Sequence, residues 1–98
     1  MPEIIPQSEL SQKLENLHPD WKLNPENNQI SRTYTLKDYY QTMAFANSIA
    51  WIAHQQDHHP EIHISYRTCT VEYSTHSAGG LTHLDFDSAQ AIDQLVAE

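Results

Sequence analysis

With a single cysteine, Cys69, in 98 residues, the chain cannot close an internal disulfide, and it has no Cys-x-x-Cys pair to grip zinc through thiolates. Basic residues are also scarce. Five Lys and Arg stand against thirteen Asp and Glu, a formal net charge of −8. That balance argues against direct nucleic-acid binding, which rests on clustered cations. No window is apolar and long enough to cross a bilayer or to serve as a secretory h-region, so no membrane partner is expected and the predicted setting is the cytoplasm. There is no internal repeat, no low-complexity segment and no linker longer than a turn, which leaves one domain over residues 1–98. No Gly-x-Ser-x-Gly elbow is present, so nothing marks an activated nucleophile.

What is present reads as compact α+β structure. Ser8 is the predicted N-cap of a first helix whose Leu10, Leu14 and Leu17 recur at helical spacing before His18, Pro19 and Asp20 close it. Trp21 to Leu23, a turn through residues 24–28, and Ile30 to Leu36 read as a hairpin, with Ile30, Tyr34 and Leu36 on one face and Arg32 breaking the alternation. From Lys37 to about Asp57 no Gly or Pro interrupts a helical stripe of Tyr39, Met43, Ala46, Ala50 and Ala53, widened by Phe45, Ile49 and Ile52. Pro60 disfavours helical geometry at His59, so this long helix is expected to end at about His58. Two alternating segments, Ile62 to Tyr66 and Cys69 to Ser74, predict an antiparallel pair with Tyr66 and Tyr73 in the core. Gly79 and Gly80, the only glycines, supply a turn. Thr82 followed by Asp85 has the spacing of a capping box and starts a last helix through Val96. The expected fold is a four-stranded antiparallel sheet with helices on one face, in the order α-β-β-α-β-β-α. Such a sheet has edges, which makes pairing with a second copy a reasonable expectation.

The unusual count is seven histidines, four of them (His54, His58, His59 and His63) between residues 54 and 63. His54 and His58 share a helix face, and the turn after the second hairpin can return His76 beside them. Imidazole titrates near neutrality, so a group of them can hold an acid and a base together at working pH. The bland reading of His58-His59-Pro60 is a solvated helix end. His18, His63 and His83 read as surface or strand-face residues.

Taken together, His54, His58-His59-Pro60, Tyr66, His76 and Asp85 resemble the pattern of the pterin-4a-carbinolamine dehydratases. Trp21, Arg32-Thr33-Tyr34, Lys37-Asp38-Tyr39, Ser74-Thr75-His76 and Gly79-Gly80-Leu81-Thr82 extend the resemblance over nearly the whole chain. It implies loss of water from a 4a-hydroxytetrahydropterin, with one group protonating the departing hydroxyl and another accepting the proton of the adjacent ring nitrogen. It implies His58, His59 and His76 as the catalytic residues. Asp57, Ser74, Thr75 and Ser77 match substrate-lining positions, and His54, Pro60 and Asp85 stand as supporting residues. Asp85 could orient His76, and it also has a structural explanation in the capping box. Many relatives carry glutamate at the position of His54. The resemblance further implies no metal, nicotinamide or flavin, a homodimer or homotetramer, and service to an aromatic amino acid hydroxylase. Two alternatives stand beside it. One is a non-catalytic dimerisation or interaction module of the same fold; the other is a zinc site built on His54 and His58 with His76 or Asp57.

Overall fold

The computed structural model describes residues 2–26 and 28–96. Its elements run α1 (Gln7–Glu15), β1 (Lys22–Leu23), β2 (Ile30–Thr35), α2 (Tyr39–Gln56), β3 (Glu61–Ile64), β4 (Thr68–Tyr73), a 3-10 turn (His76–Ala78) and α3 (His83–Val96). The four strands form one antiparallel sheet in the order β1-β2-β4-β3. This is the architecture that the alternation of elements predicts.

Register follows from which side chains have somewhere dry to go. In β2 and β4, Ile30, Arg32, Tyr34, Cys69, Val71 and Tyr73 are buried, while their neighbours Thr33, Thr35, Thr70 and Glu72 are exposed or half-buried. Pairing Ile30 with Tyr73, Arg32 with Val71 and Tyr34 with Cys69 puts every buried residue on one face. Against that face pack Phe45, Ile49 and Ile52 of α2, Leu10 of α1, and Phe86, Ala89 and Ile92 of α3. Thr33 and Thr70 share a hydrogen bond of 2.8 Å on the other, wetter side.

Arg32 does not break the alternation; it keeps it and is buried. Its Nη1 donates to Asp93 Oδ1 at 2.7 Å, and its guanidinium lies 4.2 Å from the centre of the Tyr34 ring. Asp93 also accepts from Trp21 Nε1 and from the Tyr34 hydroxyl. A charge enters the core here because one carboxylate satisfies three side-chain donors.

Three local expectations are corrected. The first helix begins at Gln7 with Pro6 as its N-cap and no side-chain cap, so Ser8 lies inside the first turn. Proline fits there because the first helical N–H groups need no intrahelical acceptor. Tyr66 is not core: β3 ends at Ile64, and Tyr66 is 67 % exposed and stacked on Tyr39. Along α2 the expected Phe45, Ala46, Ile49, Ile52 and Ala53 are buried and Thr42 joins them, but Tyr39, Met43 and Ala50 are exposed.

Candidate active site

The end of α2 sets the first wall of the site. Asp38 caps its start, its carboxylate accepting from the Gln41 N–H at 2.8 Å. The helix stops at Gln56 because Asp57 turns left-handed, at φ 52° and ψ 41°. The Asp57 N–H then bonds the His54 carbonyl at 3.2 Å, and the His58 N–H reaches back to Ala53 at 3.1 Å. These two bonds make the Schellman arrangement that satisfies the last carbonyls of a helix. Reversal of the chain at Asp57 leaves the His58 side chain 9 % exposed, while Asp57 and His59 face solvent.

The second wall comes from the exit of β4. Thr75 bridges to Gly80, and its carbonyl accepts from the N–H groups of Ala78, Gly79 and Gly80. This tight loop leaves Thr75 buried and turns His76 and Ser77 outward. Gly79 closes the loop at φ 79°, a conformation natural to glycine.

The start of α3 joins the two walls. Asp85 Oδ2 accepts from the Thr82 N–H at 2.9 Å, and Thr82 Oγ1 accepts from the Leu84 N–H at 3.2 Å, which is the predicted capping box. The same carboxylate does more. Its Oδ2 accepts from Thr75 Oγ1 at 2.8 Å, and its Oδ1 lies 2.6 Å from His58 Nε2. Asp85 therefore supports His58 and caps α3 at once, and the imidazole it holds is His58 rather than the expected His76. The His58 ring also stacks on Tyr73, with ring centres 5.3 Å apart and planes 14° apart. Burial pushes the Tyr73 hydroxyl up to about 12, and the Asp85 charge pushes it in the same direction.

Between these walls lies an open hollow of about 360 Å³, lined by Pro2, Asp57, His58, His59, Ser74, Thr75, His76, Ser77 and Leu84. The structure thus brings the three imidazoles at 58, 59 and 76 to one concavity, together with Asp57, Ser74, Thr75 and Ser77. It does not bring His54 there. That residue is exposed on α2 with its ring 5.9 Å from the Trp51 ring. Pro60 is half-buried beyond the hollow's lining, at the entry to β3. Pro2 and Leu84 are additions that the histidine pattern does not reveal. Pro2 arrives because the Ile5 N–H bonds the Leu81 carbonyl at 2.8 Å and Ile4 packs on Gly80. A roomier hollow of about 580 Å³ lies between α1 and Trp21, but no imidazole lines it.

The zinc alternative on His54 and His58 does not match the geometry. Among the described residues, the group of side chains close enough to share a metal is Glu61, His63 and Glu72 on the exposed sheet face, and it includes neither. His63 is occupied there by Glu72, at 3.0 Å.

Known proteins resemble the chain in sequence and in fold. A family model described as pterin 4 alpha carbinolamine dehydratase matches residues 3–95. A protein of Nitrosomonas eutropha, provisionally named a pterin-4-alpha-carbinolamine dehydratase, is 49 % identical over 85 % of this chain and 72 % of its own length. A crystal structure from Brucella melitensis, described as a transcriptional coactivator/pterin dehydratase, superposes with a TM-score of 0.89 at 28 % identity, covering 97 % of this chain and all of the other. A pterin dehydratase-like protein identified as a RuBisCO assembly factor in the alpha-carboxysome shares the fold, with a TM-score of 0.68 at 18 % identity over 83 % of this chain and 94 % of its own.

Proposed function

Because the chain belongs to the pterin 4 alpha carbinolamine dehydratase family, we propose that it removes water from a 4a-hydroxytetrahydropterin by histidine general acid-base catalysis. The observation that carries this reading is the shared hollow of His58, His59 and His76. In the reaction, the C4a–O bond breaks as one imidazolium protonates the departing hydroxyl. The N5–H proton passes to a second, neutral imidazole, and the N5–C4a double bond forms as water leaves. The products are a quinonoid dihydropterin and water. No electron changes hands, so the residues of the hollow supply everything the balance requires.

Support for a division of labour comes from Asp85. Its Oδ2 already accepts two hydrogen bonds, as an ionised carboxylate would. On that basis His58 Nε2 carries the hydrogen it shares with Oδ1, which leaves Nδ1 as the basic nitrogen of a neutral ring. His58 then suits the base, and the exposed His59 and His76 suit proton delivery to the leaving oxygen. Asp57, Ser74, Thr75 and Ser77 bind the pterin ring in this reading.

The product would return to an aromatic amino acid hydroxylase after reduction, and the enzyme would work in the cytoplasm. No described helix is long and apolar enough to cross a membrane. The exposed edge strand β3 is the surface proposed for self-association into a homodimer or homotetramer. The direct test is a spectrophotometric assay of carbinolamine decay. The purified protein should accelerate it well beyond the spontaneous rate, and decay at the spontaneous rate would leave only an interaction module of the same fold.

A further inference from the structure

We infer that Glu61, His63 and Glu72 form a binding site for a divalent transition-metal ion of the zinc type, which ties the edge strand β3 to β4. The site lies outside the hollow and does not depend on the dehydratase reading. Strand geometry places its donors. Glu61 and His63 are two apart in β3, so their side chains leave the same face of the sheet. Register sets Glu61 directly opposite Glu72 of β4. The face they share is the wet one, away from the packed helices. His63 Nε2 lies 3.0 Å from Glu72 Oε1 and 3.9 Å from Glu61 Oε1, and the three donor atoms are all within 4.8 Å of one another.

Two features favour a cation here over a plain ion pair. Carboxylates directly opposite each other on neighbouring strands repel. Among the described residues neither Glu61 nor Glu72 pairs with a Lys or Arg, so His63 alone contacts both and sets at most one positive charge against two negative ones. Along the same row of the sheet the next charge is Lys22, beyond Ser31 on β1. The second feature is spacing. Ligands about 2.1 Å from a tetrahedral zinc ion lie about 3.4 Å from one another. The two separations from His63, 3.0 and 3.9 Å, bracket that edge.

The donor set selects the ion. One imidazole nitrogen and two carboxylate oxygens suit zinc, with water in the fourth position, whereas calcium takes about six or more oxygens. In the metal-free protein a hydrogen joins His63 to Glu72, and the ion takes its place. Its position gives the ion a structural task. Glu61 follows soon after His59, and Glu72 comes shortly before Ser74. The ion therefore joins the two strands where they lead to opposite walls of the hollow, and it fastens an edge strand that pairs on one side only.

The test is calorimetric titration of untagged, chelator-treated protein with zinc chloride, in the wild type, His63→Ala, Glu72→Gln and His76→Ala. Circular dichroism shows that each variant is folded. The wild type should take up zinc, and excess calcium should not displace it. His63→Ala and Glu72→Gln should each weaken binding about tenfold or more, the least that losing even an outer partner of a metal site costs. His76→Ala should bind as the wild type does, which separates this site from the imidazoles of the hollow. Saturating zinc should raise the urea midpoint of the wild type and leave that of His63→Ala unmoved. Absence of zinc uptake by the wild type would reduce the three residues to a cross-strand ion pair and overturn the inference. Zinc affinity unchanged in His63→Ala would overturn it too, as would displacement by calcium, which marks an acidic patch only.

Discussion

His58 Nε2 and Asp85 Oδ1 lie 2.6 Å apart, and both side chains are nearly or wholly removed from solvent. Behind them runs a buried chain of hydroxyls. Thr75 gives its one hydrogen to Asp85, so the 2.8 Å contact between Thr75 and Thr82 has the Thr82 hydroxyl as donor. The imidazole is thus held by a carboxylate that is itself fixed by two further hydrogen bonds, from the Thr75 hydroxyl and the Thr82 N–H. Asp85→Asn keeps the size but places an N–H₂ group where an acceptor stood. On the proposed mechanism this shifts the His58 hydrogen to Nδ1 and lowers the dehydration rate by about 10², within the range for a positioned acid or base. Nitrogen NMR of the His58 ring should report the tautomer change, which a purely structural role for Asp85 would not produce.

Asp57 is the described non-glycine residue at positive φ, and it sits where α2 ends. Left-handed backbone costs a residue with a Cβ about 1 kcal/mol or more, and Asp is among the types that bear it best. Asp57→Gly should therefore raise the unfolding free energy by up to about 1 kcal/mol in chemical denaturation. The same change should weaken pterin binding, because Asp57 lines the hollow.

Asp93 holds Arg32, Tyr34 and Trp21 together. Removing it strands a guanidinium that is 9 % exposed. Asp93→Ala should cost about 3 kcal/mol or more, while Arg32→Met with Asp93→Leu, which removes both charges, should cost less, the remainder coming from the Trp21 and Tyr34 donors that lose their acceptor. Urea midpoints for the single and double variants check this.

Tyr73 makes alkaline stability pH-dependent. Burial raises its hydroxyl from 10.0 to about 12. The folded state then keeps a proton that the unfolded chain has already released. The contribution is whole below pH 10 and is lost between about pH 10 and 12 as pH rises. Burial moves Tyr34 in the same direction. Tyr73→Phe should flatten the fall in stability over that window. Near neutral pH it should be neutral or stabilising, since the Tyr73 hydroxyl and Ser88 Oγ are both buried without a hydrogen-bond partner among the described residues.

Much of this architecture is legible in the sequence, because periodicity and turn chemistry are local. The strand pairs, the glycine turn at 79–80 and the Thr82–Asp85 cap all follow from residues within a few positions of one another. The convergence of residues 57–59 with 74–77 is legible only as a family pattern, since no local rule brings two segments together across a sheet. What escapes is non-local. Arg32 looks like an error in an apolar strand until Asp93, 61 positions on, is seen beside it. Asp85 spaces equally well toward His58 or His76, and only the reversal at Asp57 decides which imidazole it meets. Tyr66 alternates correctly, but its strand ends at Ile64, two residues too early to bury it. The segment before α1 has no periodicity, so nothing in it announces that Pro2 reaches the hollow.

In the proposed reaction, imidazoles from the end of α2 and from the loop after β4 act on one substrate. Stopped-flow measurement of carbinolamine dehydration by the wild type, His59→Ala and His76→Ala tests it most directly, with circular dichroism to show that each variant is folded. Each substitution should slow water loss by about 10² or more, the lower bound for a positioned acid or base. Wild-type rates in both variants would contradict the account.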